Sequence, residues 1–139
     1  MKLKELNKND LMDLLNYIND MKIDYRDELD LPKNLTFGLE IEFENALFYD
    51  VEPQVIELDG WKLKDDLSVT VGRSFKKEGG EITSPILIDK KECWDELKQI
   101  CTDLKLNNAE ATERCGGHIH IGSQVLKNDV NCYKNFLKL

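Results

Sequence analysis

Residues Phe37-Gly38-Leu39-Glu40-Ile41-Glu42-Phe43-Glu44 alternate apolar and acidic side chains. A period of two belongs to a strand and not to a helix. It puts Leu39, Ile41 and Phe43 on one face and Glu40, Glu42 and Glu44 on the other. The first face needs an apolar layer packed against it. The second needs either bulk water or a cation, because carboxylates side by side repel one another.

The rest of the chain supplies the layer. Trp94, Leu97, Ile100, Cys101 and Leu104 recur at helical spacing and predict a helix over 90–106. Leu11, Leu14, Leu15, Ile18 and Met21 predict an N-terminal helix, capped by Asn9 or Asp10. A charged linker containing Pro32 follows it. Residues 51–59 suit a short helix bearing Val55, Ile56 and Leu58, closed by Asp59-Gly60. Trp61 to Val71 reads as a strand pair turning at Asp65-Asp66, and Arg73 to Gly80 as a polar loop. Glu81 to Pro85 reads as a strand that the proline ends or confines to an edge. Cys115 to Gly122 reads as a glycine-flanked strand with Ile119 and Ile121 in the core, and Tyr133 to Leu139 as the start of a helix. Roughly three helices and four or five strands at hairpin-like spacing make this an α+β chain. The expected form is an antiparallel sheet with helices on one face. The expected division is an N-terminal helix and linker over 1–34 and one α+β domain over 35–139.

Charge narrows the partners. The 139 residues carry a net charge of -8. Nine acids and three bases between Pro32 and Asp66 concentrate the acidity around the Glu-rich strand. Such a surface repels phosphate backbones and anionic lipid, so neither nucleic acid nor membrane is an expected partner. No apolar run is long enough to span a bilayer, and the first residues lack the apolar core of a secretory signal. Cys93, Cys101, Cys115 and Cys132 form no CxxC pair, so they read as reduced thiols in a cytoplasm.

Four groups of residues suit chemistry. Glu40 and Glu42 stand about 7 Å apart on one strand face. They suit a hard divalent ion such as Mg²⁺ or Mn²⁺, but taken alone the alternation is more often a solvated sheet surface. Gly117-His118-Ile119-His120-Ile121-Gly122 places the chain's two histidines on one face, with glycines that admit a ligand or a backbone closely. They read equally as surface histidines, or with Cys115 as zinc ligands lacking obvious partners. Gly79-Gly80-Glu81 adds one glutamate after a turn signal, and Lys64-Asp65-Asp66-Leu67-Ser68 reads as a turn.

Taken in order, GLEIEFE, KDDLSV, GGEITSPIL, a helix bearing Trp94 and CGGHIHIG resemble the amidoligase family from about Phe37 onward. These are carboxylate–amine ligases related to glutamine synthetase and the glutamate–cysteine ligases. The resemblance implies half of a glutamine-synthetase-like domain, a curved antiparallel sheet holding ATP and Mg²⁺ or Mn²⁺. It implies amide bond formation through an acyl phosphate, from small carboxylate and amine substrates. Glu40, Glu42, Glu81 and His118 then match metal ligands. Gly117, His118 and Gly122 match the nucleotide side, and Asp66, Ser68 and His120 match catalytic positions. None of Arg26, Arg73 and Arg114 matches the arginine expected on the transferred phosphate. The resemblance therefore implies a truncated ligase that lacks the second half of the expected site, with an open sheet edge that invites a second copy or a protein partner. The competing reading is a non-catalytic acidic binding protein built on this fold. An example is a phage-type inhibitor of a basic nucleic-acid-binding defence protein, contacted through Glu40 to Asp66.

Overall fold

A computed structural model describes residues 28–73, 76–127 and 129–136. The helix expected from Leu11 to Met21 lies outside the described residues. The architecture is α+β, built on a four-stranded antiparallel sheet. In chain order the elements are β1 (Phe37–Leu47), α1 (Phe48–Ile56), β2 (Lys62–Lys64), β3 (Glu78–Thr83), α2 (Lys91–Leu106), β4 (Gly117–Ile121) and α3 (Val130–Phe136). A single 3₁₀ turn, Ser123–Leu126, links β4 to α3. The strand order is β2-β3-β1-β4. No helix among the described residues is long and apolar enough to cross a membrane.

β1 is central, and its alternation is realised. Phe37 and Phe43 are buried, and Leu39 and Ile41 pack against the core. α1 contributes Phe48, Val51 and Val55, and α2 contributes Ile100 and Leu104. Ile82 of β3, Trp61 and Leu87 complete this layer. Burying each such large side chain contributes about 1.5–3 kcal/mol. The Trp94 ring stacks on Phe37 with centroids 5.3 Å apart. Its indole N–H donates to Asp89 Oδ1 at 2.7 Å. The backbone N–H groups of Leu29 and Leu31 donate to the same carboxylate at 2.9 and 2.7 Å. Burial pushes the Asp89 carboxyl up, but these donors outweigh it and hold it below the usual aspartate value. Asp89 thus ties the entering chain to the start of α2.

Several expectations are corrected. The helix expected over 51–59 begins earlier, at Phe48, directly after β1. It ends at Ile56, which is exposed. No strand pair spans Trp61 to Val71. Only Lys62–Lys64 is a strand, and it pairs with β3, with Leu63 opposite Ile82. Gly79 and Gly80, expected in a loop, are buried residues of β3. The reason is crowding. A Cβ on Gly79, whose φ is +77°, would sit 2.5 Å from the Val69 carbonyl oxygen and 2.9 Å from that of Phe43. Glycine is the residue that lets three chain segments meet there. β3 ends before Pro85 as expected, but it is an interior strand and not an edge.

Ile119 and Ile121 were expected in the core and are instead 69% and 56% exposed. β4 lies at the sheet edge outside β1, and no residue of the core cluster comes from it. α1 packs on β1, β2 and β3. The pleat sends both isoleucines to the correct side of the sheet, at the side of Phe37 and Leu39. Among the described residues, no helix of the core lies above them at that margin.

Candidate metal and substrate face

The opposite face of the sheet is polar, and antiparallel pairing decides which residues meet on it. Directly paired residues share a face. Glu42 lies opposite Glu81, which lies opposite Lys64. One step along, Glu40 lies between Thr83 and His118, and Gly38 lies opposite His120. The sequence elements that are far apart in the chain thus form two adjacent rows.

The first row carries an acidic cluster. Glu42, Asp66 and Glu81 each present a carboxylate oxygen, and the three lie within 4.8 Å of one another. All three residues are half-buried. Asp66 reaches this position from the turn after β2. The Ser68 hydroxyl and N–H both donate to its Oδ1, at 2.6 and 2.7 Å. Those two hydrogen bonds, the hydroxyl's above all, hold the Asp66 carboxyl below its usual range. The Gly116 N–H donates to Glu42 Oε2 at 2.6 Å. Lys64 Nζ stands 3.8 Å from Glu81 Oε1. These groups offset part of the mutual repulsion of the acids.

The second row is a carboxylate held between two imidazoles. His118 Nδ1 lies 2.9 Å from Glu40 Oε2, and His120 Nε2 lies 2.9 Å from Glu40 Oε1. The hydrogen bond from His120, followed by the other effects of the two rings, keeps the Glu40 carboxyl below the usual glutamate range. Beside it an open groove of about 710 Å³ runs past Gly38, Lys62, Ser84, His120, Gly122 and Gln124.

The structure therefore divides the residues singled out in sequence. Glu42 and Glu81 meet across the β1–β3 pairing. Their third partner is Asp66, which the family resemblance matches to a catalytic position. Glu40 and His118, expected beside them as ligands, bind each other in the next row. Ser68 orients Asp66. Gly117 is exposed and pairs with Ile41. Gly122 lines the groove and donates its N–H to the Thr36 carbonyl at 2.8 Å. Among the described residues, the one convergent group of three potential ligands contains neither histidine nor cysteine. Cys115 Sγ lies against the Glu110 carbonyl and the Thr112 hydroxyl instead.

Arg114, Thr112 and Glu44 escaped the sequence reading as site residues. Arg114 Nη1 pairs with Glu44 Oε1 at 2.9 Å, and the Thr112 hydroxyl donates to Glu44 Oε2. The available signal was the position of Arg114, one of three arginines, directly before Cys115-Gly116-Gly117.

Comparison with known proteins bears on this face. Residues 33–139 match a family model described as "Putative amidoligase enzyme". The chain belongs to the amidoligase family. The match covers every element of the sheet and both polar rows. No curated protein and no solved structure matches the chain.

Three converging carboxylates are a hard, anionic, all-oxygen donor set. That chemistry fits Mg²⁺ or Mn²⁺, whereas zinc centres favour nitrogen and sulfur. The residues present fit the ion that the family resemblance implies.

Proposed function

We propose that this amidoligase joins a small carboxylate to an amine at the expense of ATP, with Mg²⁺ or Mn²⁺ held by Glu42, Asp66 and Glu81. The glutamine-synthetase-like frame belongs to the same proposal. The observation that carries it is the convergence of those three carboxylates, one row along the sheet from the Glu40–His120 pair that lines an open groove. When bound, the ion supplies charge neutralisation for phosphoryl transfer.

The reaction follows from the chemistry of carboxylates, which are poor electrophiles. A substrate carboxylate oxygen attacks the γ-phosphorus, the bond to ADP breaks, and an acyl phosphate forms. The amine nitrogen then attacks the carbonyl carbon, phosphate departs with its oxygen, and the amine loses a proton. On this face the Gly116 N–H orients Glu42, and the Ser68 hydroxyl orients Asp66. Glu40 fixes the rings of His118 and His120, and His120 lines the groove where the substrates would lie. Thr83 and Lys62 stand opposite one another in the same row and flank the groove floor.

The test is a thermal melt with and without MnATP, for the natural chain and for Asp66→Asn. Binding to the native state at a hundred times Kd stabilises by about 2.7 kcal/mol. For a chain of this length that raises Tm by roughly 8 °C. The expected result is such a rise, lost in Asp66→Asn. The shift between the two conditions is read for each protein separately, because removing an acid also relieves repulsion. A cooperative melt with no MnATP shift in the natural chain would overturn the proposal.

A further inference from the structure

We infer that Arg114 is a positioning residue for the metal cluster, holding the Asp66 turn against the acidic face of β1. The inference rests on the metal reading above.

Asp66 differs from its two partners in how it is carried. Glu42 and Glu81 stand on neighbouring strands, and their separation is fixed by the β1–β3 register. Asp66 stands on a turn outside any strand. That turn is closed internally, with the Val69 and Thr70 N–H groups both donating to the Asp66 carbonyl. Its base is seated by Val69, which is fully buried, and by the Val71–Glu78 bridge. Both anchors lie on the β3 side. The tip, Leu67, is 93% exposed and seats nothing.

Arg114 supplies the attachment from the β1 side. Its Nε donates to the Ser68 carbonyl at 3.1 Å, and its Nη2 donates to the same oxygen. Its Nη1 pairs with Glu44, two residues beyond Glu42 on the same strand face. Ser68 is the residue that grips the Asp66 carboxylate through its hydroxyl and N–H. A continuous path therefore runs from β1 through Glu44, Arg114 and Ser68 to Asp66. A planar guanidinium suits this bridge because it presents several donors in a rigid fork. Groups that orient metal ligands in this way typically change affinity by about 10–100-fold when removed.

The sign of the effect separates positioning from simple charge. Arg114 is a cation beside a cluster meant to attract one. If it acted through charge alone, its removal would tighten metal binding. If it holds Asp66 in place, its removal weakens binding. Arg114→Lys keeps the charge and loses the fork, so positioning predicts weakening and charge predicts no change.

The experiment is a direct Mn²⁺ titration by calorimetry on the natural chain, Arg114→Ala, Arg114→Lys and Asp66→Asn, without nucleotide or substrate. Urea unfolding of each metal-free protein accompanies it. The expected result is at least about tenfold weaker Mn²⁺ binding in Arg114→Ala. Arg114→Lys should also bind more weakly, with a cooperative unfolding transition retained. Unchanged binding in Arg114→Lys, or tighter binding in Arg114→Ala, would overturn the inference. If Arg114→Ala does not fold, Arg114→Lys decides alone. Failure of the metal reading itself looks different: the natural chain would then bind no Mn²⁺ that Asp66→Asn abolishes.

Discussion

Replacing Gly79 by alanine tests the reasoning about how the sheet is closed. Gly79 has φ +77°, a left-handed conformation that costs an ordinary residue about 1–2 kcal/mol. The new Cβ would also lie 2.5 Å from the Val69 oxygen and 2.9 Å from the Phe43 oxygen. Both are backbone atoms, and neither swings aside as a side chain would. Overpacking of this kind costs about 1–3 kcal/mol. The expected loss is therefore about 2–5 kcal/mol, out of a total near 7–20 kcal/mol for this length. Urea unfolding should show a lower midpoint at unchanged slope, and Tm should fall by roughly 6–15 °C. Gly117→Ala is the matched control. A Cβ there meets nothing within 4 Å, and the residue is exposed. Its effect should stay within about 0.5 kcal/mol. Equal midpoints for the two variants would refute the account of Gly79 as the point where three segments cross.

Two further outcomes follow from the core and its entrance. Ile82→Ala removes a side chain with no exposed surface, and denaturant unfolding should register a loss of about 2–5 kcal/mol. Asp89→Asn should destabilise the protein at pH 7, because one oxygen must replace two that accept from Leu29, Leu31 and Trp94. The folded carboxyl sits below its unfolded value, so its contribution is full above the ordinary aspartate pKa and fades as pH falls through the folded one. The midpoint gap between Asp89→Asn and the natural chain should therefore shrink between pH 7 and pH 3, and an equal gap at both would contradict this.

What could be read in the sequence was local periodicity, and what could not was which segments meet. Leu39, Ile41 and Phe43 against Glu40, Glu42 and Glu44 gave β1 its two faces, because the strand period is fixed by backbone geometry. The stripe from Trp94 to Leu104 gave α2 for the same reason. Gly79 and Gly80 misled because glycine signals a turn and a crowded crossing with the same letter. Ile119 and Ile121 misled because alternation reports the side of a sheet and not whether anything covers that side. Asp66 joined Glu42 and Glu81, and Arg114 reached Ser68, across separations that no local pattern encodes. The order of the motifs still pointed to the family, because a family is recognised by which motifs follow one another and not by which of them touch.

The pairing of β4 with β1 also sets an order of events as the chain is synthesised. β1 and β3 are complete once residue 83 has emerged, and Glu42 then faces Glu81 across the register. The Gly116 N–H that binds Glu42 comes 74 residues after it, and the His118 ring that binds Glu40 comes 78 residues after it. Closing such long loops costs entropy before any contact repays it. Until residues 116 to 120 arrive, Glu40 and Glu42 lack these partners, while Lys64 and Ser68 already stand beside Glu81 and Asp66. The arrival of β4 therefore supplies the partners of Glu40 and Glu42, and a chain folded only as far as β3 leaves those two acids without them.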